Sequence, residues 1–233
     1  MLKTVLLTAP PVLLLLGCDV NAHHVGPIEH QEVHVDMGKY ENARLELKMG
    51  AGELRLEGGS PKLVEADFAY NVPTWKPYFN ARTSGFRADV TVSQNGGASF
   101  GSAENTWEMK INDNVPWDVI THLGAGEAHM ELGSAMLRKL EVHMGVGELR
   151  LDLRGNPKRS YDVEIHGGVG EADITLPKSA SIFATAHGGI GDISVDGLEK
   201  HGDHWVNKEA EKSPVTIRLD AQGGVGSIKI ATE

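Results

Sequence analysis

The sequence predicts an all-β chain: a parallel β-helix-like solenoid of coils about 21 residues long, closed at its N-terminal end by a capping β module. Three observations predict it. A short phrase recurs four times, as Gly124-Ala-Gly-Glu-Ala-His-Met130, Gly145-Val-Gly-Glu-Leu-Arg-Leu151, Gly168-Val-Gly-Glu-Ala-Asp-Ile174 and Gly189-Ile-Gly-Asp-Ile-Ser-Val195, with steps of 21, 23 and 21 residues. Outlying copies at Gly50-Ala-Gly-Glu-Leu-Arg-Leu56 and Gly224-Val-Gly-Ser-Ile-Lys-Ile230 bracket most of the chain. Apolar residues on both sides of each phrase fall at every second position, the period of strands with one buried face. Self-similarity with a period in the twenties is the signature of stacked coils that bury what their neighbours expose.

Each coil therefore reads as strand, Gly-x-Gly corner, strand and return loop. Leu140 and Val142, then Leu149 and Leu151, mark the inward positions of one coil; Val163, Ile165, Ala172 and Ile174 mark those of the next. Continuing the alternation into the corner points its middle residue (Ala125, Val146, Val169, Ile190, Val225) inward as well. Glycine suits a sharp corner because it tolerates positive φ and close backbone approach, so at least one of Gly147 and Gly170 is expected to have positive φ.

From the start, Lys3, an apolar run and Leu15-Leu16-Gly17-Cys18 have the form of a bacterial lipoprotein signal over residues 1–17, with Cys18 as the lipidated first residue of the mature protein. The apolar run is too short to span a bilayer, so the membrane is reached through a lipid anchor. An ordinary secretory signal with a buried cysteine is the alternative. Residues 18–42 are polar and His-containing and read as a tether, with a short strand at Glu32 to Val35. Residues 43–111 hold the first copy of the phrase and longer strands at Leu63–Tyr70, Phe79–Thr83, Phe86–Ser93 and around Trp107, Met109 and Ile111, forming the N-terminal β module. Residues 112–233 form the repeat solenoid. The step from Gly189 to Gly224 is 35 residues, so the charged segment between Asp196 and Pro214 reads as an insertion on one return loop.

Composition narrows the function. Cys18 is the single cysteine, so lipidation leaves no thiol for disulfides, metal binding or covalent catalysis. The net charge of −10 argues against nucleic acid or anionic lipid as partners. No Gly-x-Ser-x-Gly elbow, P-loop or His-Glu-x-x-His occurs.

Two rows of polar residues are candidate sites. Glu127, Glu148, Glu171 and Asp192 follow the corners and stack about 5 Å apart, a row that calcium would relieve of its repulsion or that a retaining glycosidase would use as a carboxylate pair. His122, His143, His166 and His187 all stand two residues before the first glycine of their phrase and point outward as a four-coil ladder, with Lys48 and Gln222 at its ends. Glu141 and Glu164 lie two residues earlier on the same face. Two readings stand: a stack of neutral rings, or imidazoles and a carboxylate around a zinc-like ion.

Leu45-Glu-Leu-Lys-Met-Gly-Ala-Gly-Glu-Leu-Arg-Leu56 and Leu63-Val-Glu-Ala-Asp-Phe-Ala-Tyr-Asn71 resemble the bacterial toast-rack N-terminal domain. Asn114-Val-Pro-Trp-Asp118 and His166-Gly-Gly-Val-Gly-Glu171 are similar to the related putative-adhesin and cell-wall-active-antibiotic response proteins. The resemblance covers roughly residues 40 to 230. It implies a β-solenoid-like domain facing the envelope exterior and brings no catalytic residues with it. The sequence thus points to a non-enzymatic, lipid-anchored lipoprotein of the bacterial cell envelope, a binding scaffold, adhesin-like or envelope-stress component. Its partners would be an envelope protein or cell-wall polysaccharide, and it needs no cofactor apart from the zinc or calcium just considered. A carbohydrate-active β-helix enzyme is the alternative.

Overall fold

A computed structural model describes residues 25–95, 102–208 and 213–233. The Leu15–Cys18 motif lies outside the described residues. Thirteen strands follow in chain order: β1 (Glu29–Val35), β2 (Asn42–Glu57), β3 (Val64–Tyr70), β4 (Pro77–Ser84), β5 (Arg87–Gln94), β6 (Asn105–Ile111), β7 (Trp117–Glu131), β8 (Leu137–Asp152), β9 (Tyr161–Leu176), β10 (Ser181–Asp196), β11 (Glu199–His201), β12 (His204–Val206) and β13 (Thr216–Thr232). Among the described residues the single helical piece is a 3-10 turn at Pro73–Trp75. No helix there is long and apolar enough to cross a membrane.

All thirteen strands belong to one sheet with the main order β1-β3-β6-β2-β7-β8-β9-β13-β10-β12-β11, and β5 adds to β2 with β4 beyond it. The six strands that carry the phrase, β2, β7, β8, β9, β13 and β10, are parallel rungs, in register through the corner. The inward residues of both halves of the rungs, such as Leu45 and Leu54, Val142 and Leu149, Leu219 and Ile228, join one continuous core, which on the second half of β10 keeps only the partly buried Val195. The two halves of a rung thus face each other. Leu132, Leu153 and Leu176, just past the ends of β7 and β8 and at the end of β9, are buried in the same core and close its third side.

Two parts of this architecture differ from the sequence expectation. The C-terminal rung β13 does not stack outside β10 but lies between β9 and β10. The residues after Asp196 make this possible, because a parallel neighbour has to be reached by a long return crossover. Part of that crossover folds into the β11–β12 hairpin, which lays β12 antiparallel against Phe183 and Ala184 of β10. Within the residues read as tether, the strand expected at Glu32 to Val35 begins earlier, and as β1 it pairs along its whole length with β3, Glu29 opposite Tyr70 through Val35 opposite Val64.

At the N-terminal end the sheet divides. The first half of β2, Asn42 to Lys48, pairs with β5, while its second half, Glu53 to Glu57, pairs with β6. The corner between them has no rung on that side, and two side chains take its place. Gln94 Oε1 accepts from the Gly50 amide at 3.0 Å and from Asn105 Nδ2 at 2.9 Å, and Asn105 Nδ2 also donates to the Ala51 carbonyl at 2.7 Å. Beneath this plug, Trp107 is fully buried, donates Nε1–H to Asn105 Oδ1 at 3.1 Å and meets Phe68 edge-on.

Candidate functional site: the corner and its flanking rows

The second glycine of every phrase has positive φ, 142° at Gly147 and 145° at Gly170. A Cβ on Gly147 would run into the Gly126 carbonyl oxygen, and one on Gly170 into that of Gly147. Glycine is needed there for conformation and for space together.

This glycine also explains why the middle residue of the corner points outward, contrary to the sequence expectation. In β8 the inward positions are Val142 and Met144 before the corner but Leu149 and Leu151 after it. The parity changes, so the corner carries one extra residue. The position with no side chain, Gly147, takes the crowded inside and Val146 is turned out. Ala51, Ala125, Val146, Val169, Val225 and Ile190 therefore form one in-register stripe along the outside of the corner. Val146 is 54% exposed, Val169 49%, Val225 46% and Ile190 73%.

On one side of the stripe runs the histidine row, Lys48, His122, His143, His166, Gln222 and His187 in spatial order. The rings of His122 and His143 stack 4.8 Å apart with 9° between planes, and those of His143 and His166 5.0 Å apart with 15°. The expected four-coil ladder is therefore three rings long, because β13 places Gln222 between His166 and His187. His143 Nε2 lies 2.6 Å from Glu141, and Lys139 reaches both Glu141 and Glu164 at 3.0 Å. These contacts hold the Glu141 carboxyl at about 2, well below its ordinary 4.5, the bond to His143 contributing most and that to Lys139 next. Partial burial and the neighbouring His143 lower the pKa of His122. Parallel rings do not turn their nitrogens toward one point, and among the described residues no three His, Cys, Asp or Glu side chains form a set that could hold a metal ion. Of the residues in the zinc expectation, His122, His143 and His166 stack, Glu141 and Glu164 lie in ion pairs, and His187 is set apart from the other three by Gln222.

On the other side lies the carboxylate row, Glu53, Glu127, Glu148, Glu171, Ser227 and Asp192. Ser227 of β13 breaks the expected run between Glu171 and Asp192. Neighbouring basic groups pair with Glu53, Glu127, Glu148 and Glu171. Glu53 meets Arg55 at 2.7 Å, Glu127 meets His129 at 3.4 Å, Glu148 meets Arg150 at 2.5 Å, and Lys229 of β13 reaches across to Glu171 and Asp173. A glycosidase general acid needs a carboxyl held neutral by a raised pKa. Here every shifted carboxyl among the described residues, Glu141, Asp152, Glu171 and Asp203, is shifted down.

The family model of the N-terminal domain of toast_rack, DUF2154, matches residues 24–175. The chain belongs to the toast-rack family. The crystal structure of a putative cell adhesion protein from Clostridium sporogenes superposes on this toast-rack chain with a TM-score of 0.86 at 31% identity, covering 89% of this chain and 100% of that one. A putative adhesin from Bacteroides fragilis aligns over 88% of this chain and 97% of its own, at 10% identity and a TM-score of 0.31, too loosely to bear on function. No curated protein sequence matches the toast-rack chain significantly.

Proposed function

We propose that this toast-rack protein is a non-enzymatic adhesion module of the bacterial cell envelope, anchored by a lipid on Cys18 and holding its rungs end-on to the membrane. One observation carries the reading. The chain leaves the sheet toward its N-terminus from β1, at one end of the main order, while β10 lies eight strand steps away. At about 4.8 Å per step this is roughly 38 Å. A lipid on Cys18, eleven residues before β1, would hold the β1 end near the bilayer and leave the β10 end free to meet a partner. The full-length likeness to the clostridial protein supports adhesion, and the paired carboxylates give no support to the carbohydrate-active alternative. The test is metabolic labelling with an alkyne fatty acid, followed by attachment of producing cells to immobilised envelope fragments. Wild type should be labelled and adherent, and Cys18→Ser neither. Equal labelling of the variant, or full attachment without the label, contradicts the proposal.

A further inference from the structure

The two ends of the rung array are finished differently. At the β2 end, Gln94 and Asn105 occupy the backbone groups of the first corner, and β5 and β6 cover its two arms. At the β10 end, β12 covers Phe183 and Ala184, and no other described strand pairs with the outer edge from Thr185 to Asp196. Every residue from His187 to Ser194 is exposed. An open edge of this kind is a template for a further strand. The other terminal strand of the main sheet path on the N-terminal side, β1, carries Glu29, His30, Glu32 and His34, the charged dressing that protects an edge. β10 presents Ile190 and Ile193 together with Asp192 and Asp196.

Charge says what kind of strand fits. On β2, β7 and β8 the carboxylate beyond the corner has a basic partner two residues on, and Glu171 of β9 has Lys229. The same positions of β10 read Asp192, Ser194 and Asp196, and among the described residues neither aspartate has an ion-pair partner. The molecule already shows how such a pair is satisfied: Lys229, on the strand added to β9, reaches Glu171 and Asp173 on that strand. A strand added to β10 with a lysine or arginine beside Ser194 would meet Asp192 on the diagonal, as Lys229 meets Glu171, with Asp196 two residues to its other side.

We infer that the free edge of β10 binds an extended basic segment of another polypeptide by strand addition, its backbone continuing the ladder, apolar side chains lying on Ile190 and Ile193, and a cationic side chain between Asp192 and Asp196. The inference rests on the reading of the chain as a binding module and names the chemistry of its partner.

The probe is a synthetic peptide copying residues 221–232, a sequence that pairs with the opposite edge of β10, titrated into the full chain and followed by fluorescence anisotropy and by backbone NMR. Saturable binding is expected, with shifts confined to β10 and weakening as salt rises. Exchanging the peptide's lysine for glutamate should weaken it roughly tenfold, and Asp192→Asn with Asp196→Asn should have a similar effect. N-methylation of alternate peptide bonds should abolish it. Equal binding of the lysine and glutamate peptides, shifts away from β10, or no saturation overturns the inference. A dimer of the free chain joined through β10 overturns it too, since the occupant is then a second copy. None of these results bears on labelling at Cys18 or on cell attachment, so the two proposals fail separately.

Discussion

The imidazole of His143 is held between two neighbours, stacked 5.0 Å from His166 and 4.8 Å from His122, while its Nε2 lies 2.6 Å from Glu141. Both contacts tie stability to acid. The Glu141 carboxyl titrates at about 2 in the folded chain against an ordinary 4.5, so its contribution is complete above 4.5 and is lost as pH falls from there toward 2. His122 has a lowered pKa, so the unfolded chain takes up that proton more readily than the folded one, and stability begins to fall as pH drops below the ordinary 6.5. Lys48 and Glu46 on β2, Lys139 on β8, Glu164 on β9 and Asp220 on β13 face the same rows and set the background. Thermal melts across pH 7 to 3 should show two successive declines. Glu141→Gln should flatten the lower one and His122→Gln the upper one; unchanged profiles in both variants contradict the assignment.

The corner glycines give the sharpest stability contrast. Gly147→Val and Gly170→Val force a β-branched residue into positive φ against a neighbouring carbonyl, and each should cost upwards of about 2 kcal/mol. Val146→Ser, one residue away and turned to solvent, should stay within about 0.5 kcal/mol. Urea unfolding of the three variants measures the difference. Equal midpoints for Gly147→Val and Val146→Ser would show that the corner does not need its glycine.

How far the sequence reveals this fold can be judged at these same positions. Strand period, rung spacing and the need for Gly147 and Gly170 are local properties, and they are legible because repetition averages out noise in a short phrase. The outward turn of Val146 was also legible in principle, since Met144 and Leu149 are both apolar but differ in parity. Following the alternation through the corner from one side hides the extra residue. The place of β13 was not legible from periodicity, because a rung that matches the phrase fits equally well outside β10 or between β9 and β10. The 35-residue step from Gly189 to Gly224 is the signal that the chain doubles back. With β13 placed outside β10, Gln222 falls at the end of the ladder and Ser227 beyond the carboxylate row, so both rows appear one member too long.

The inner side of the corner changes along the array. Its row reads Met49, Leu123, Met144, Gly167, Gly223 and Gly188, and a mainly apolar cavity of about 40 Å³ opens where the side chains stop. A Cβ on Gly167 meets only the Gln222 carbonyl oxygen, at an ordinary 3.7 Å. Gly167→Met should extend the apolar row of Met49, Leu123 and Met144 into the cavity and stabilise by about 1 kcal/mol. A lower Tm for this variant would show that the glycines are needed there.

Thr121 stands in the core between Leu47 and Val142 in its row, fully buried, and its hydroxyl has no hydrogen-bond partner. An unmet buried hydroxyl costs stability, whereas a methyl of the same shape does not. Thr121→Val should therefore raise stability by about 1 kcal/mol. Chemical denaturation compares it with Thr121→Ser, which keeps the hydroxyl and loses a methyl and should be less stable than wild type. If the valine variant is the less stable of the two, the hydroxyl has a role that the core packing does not show.

The end-on arrangement is tested most directly by distance from the bilayer. With Cys18 lipidated, a cysteine introduced at His34 on β1 or at Ser194 on β10 is the single free thiol and takes a fluorophore, and the lipidated chain is then reconstituted in vesicles carrying a headgroup quencher. The account predicts strong quenching at position 34 and little at position 194, roughly 38 Å further from the membrane. Equal quenching at the two positions, or stronger quenching at 194, would contradict it.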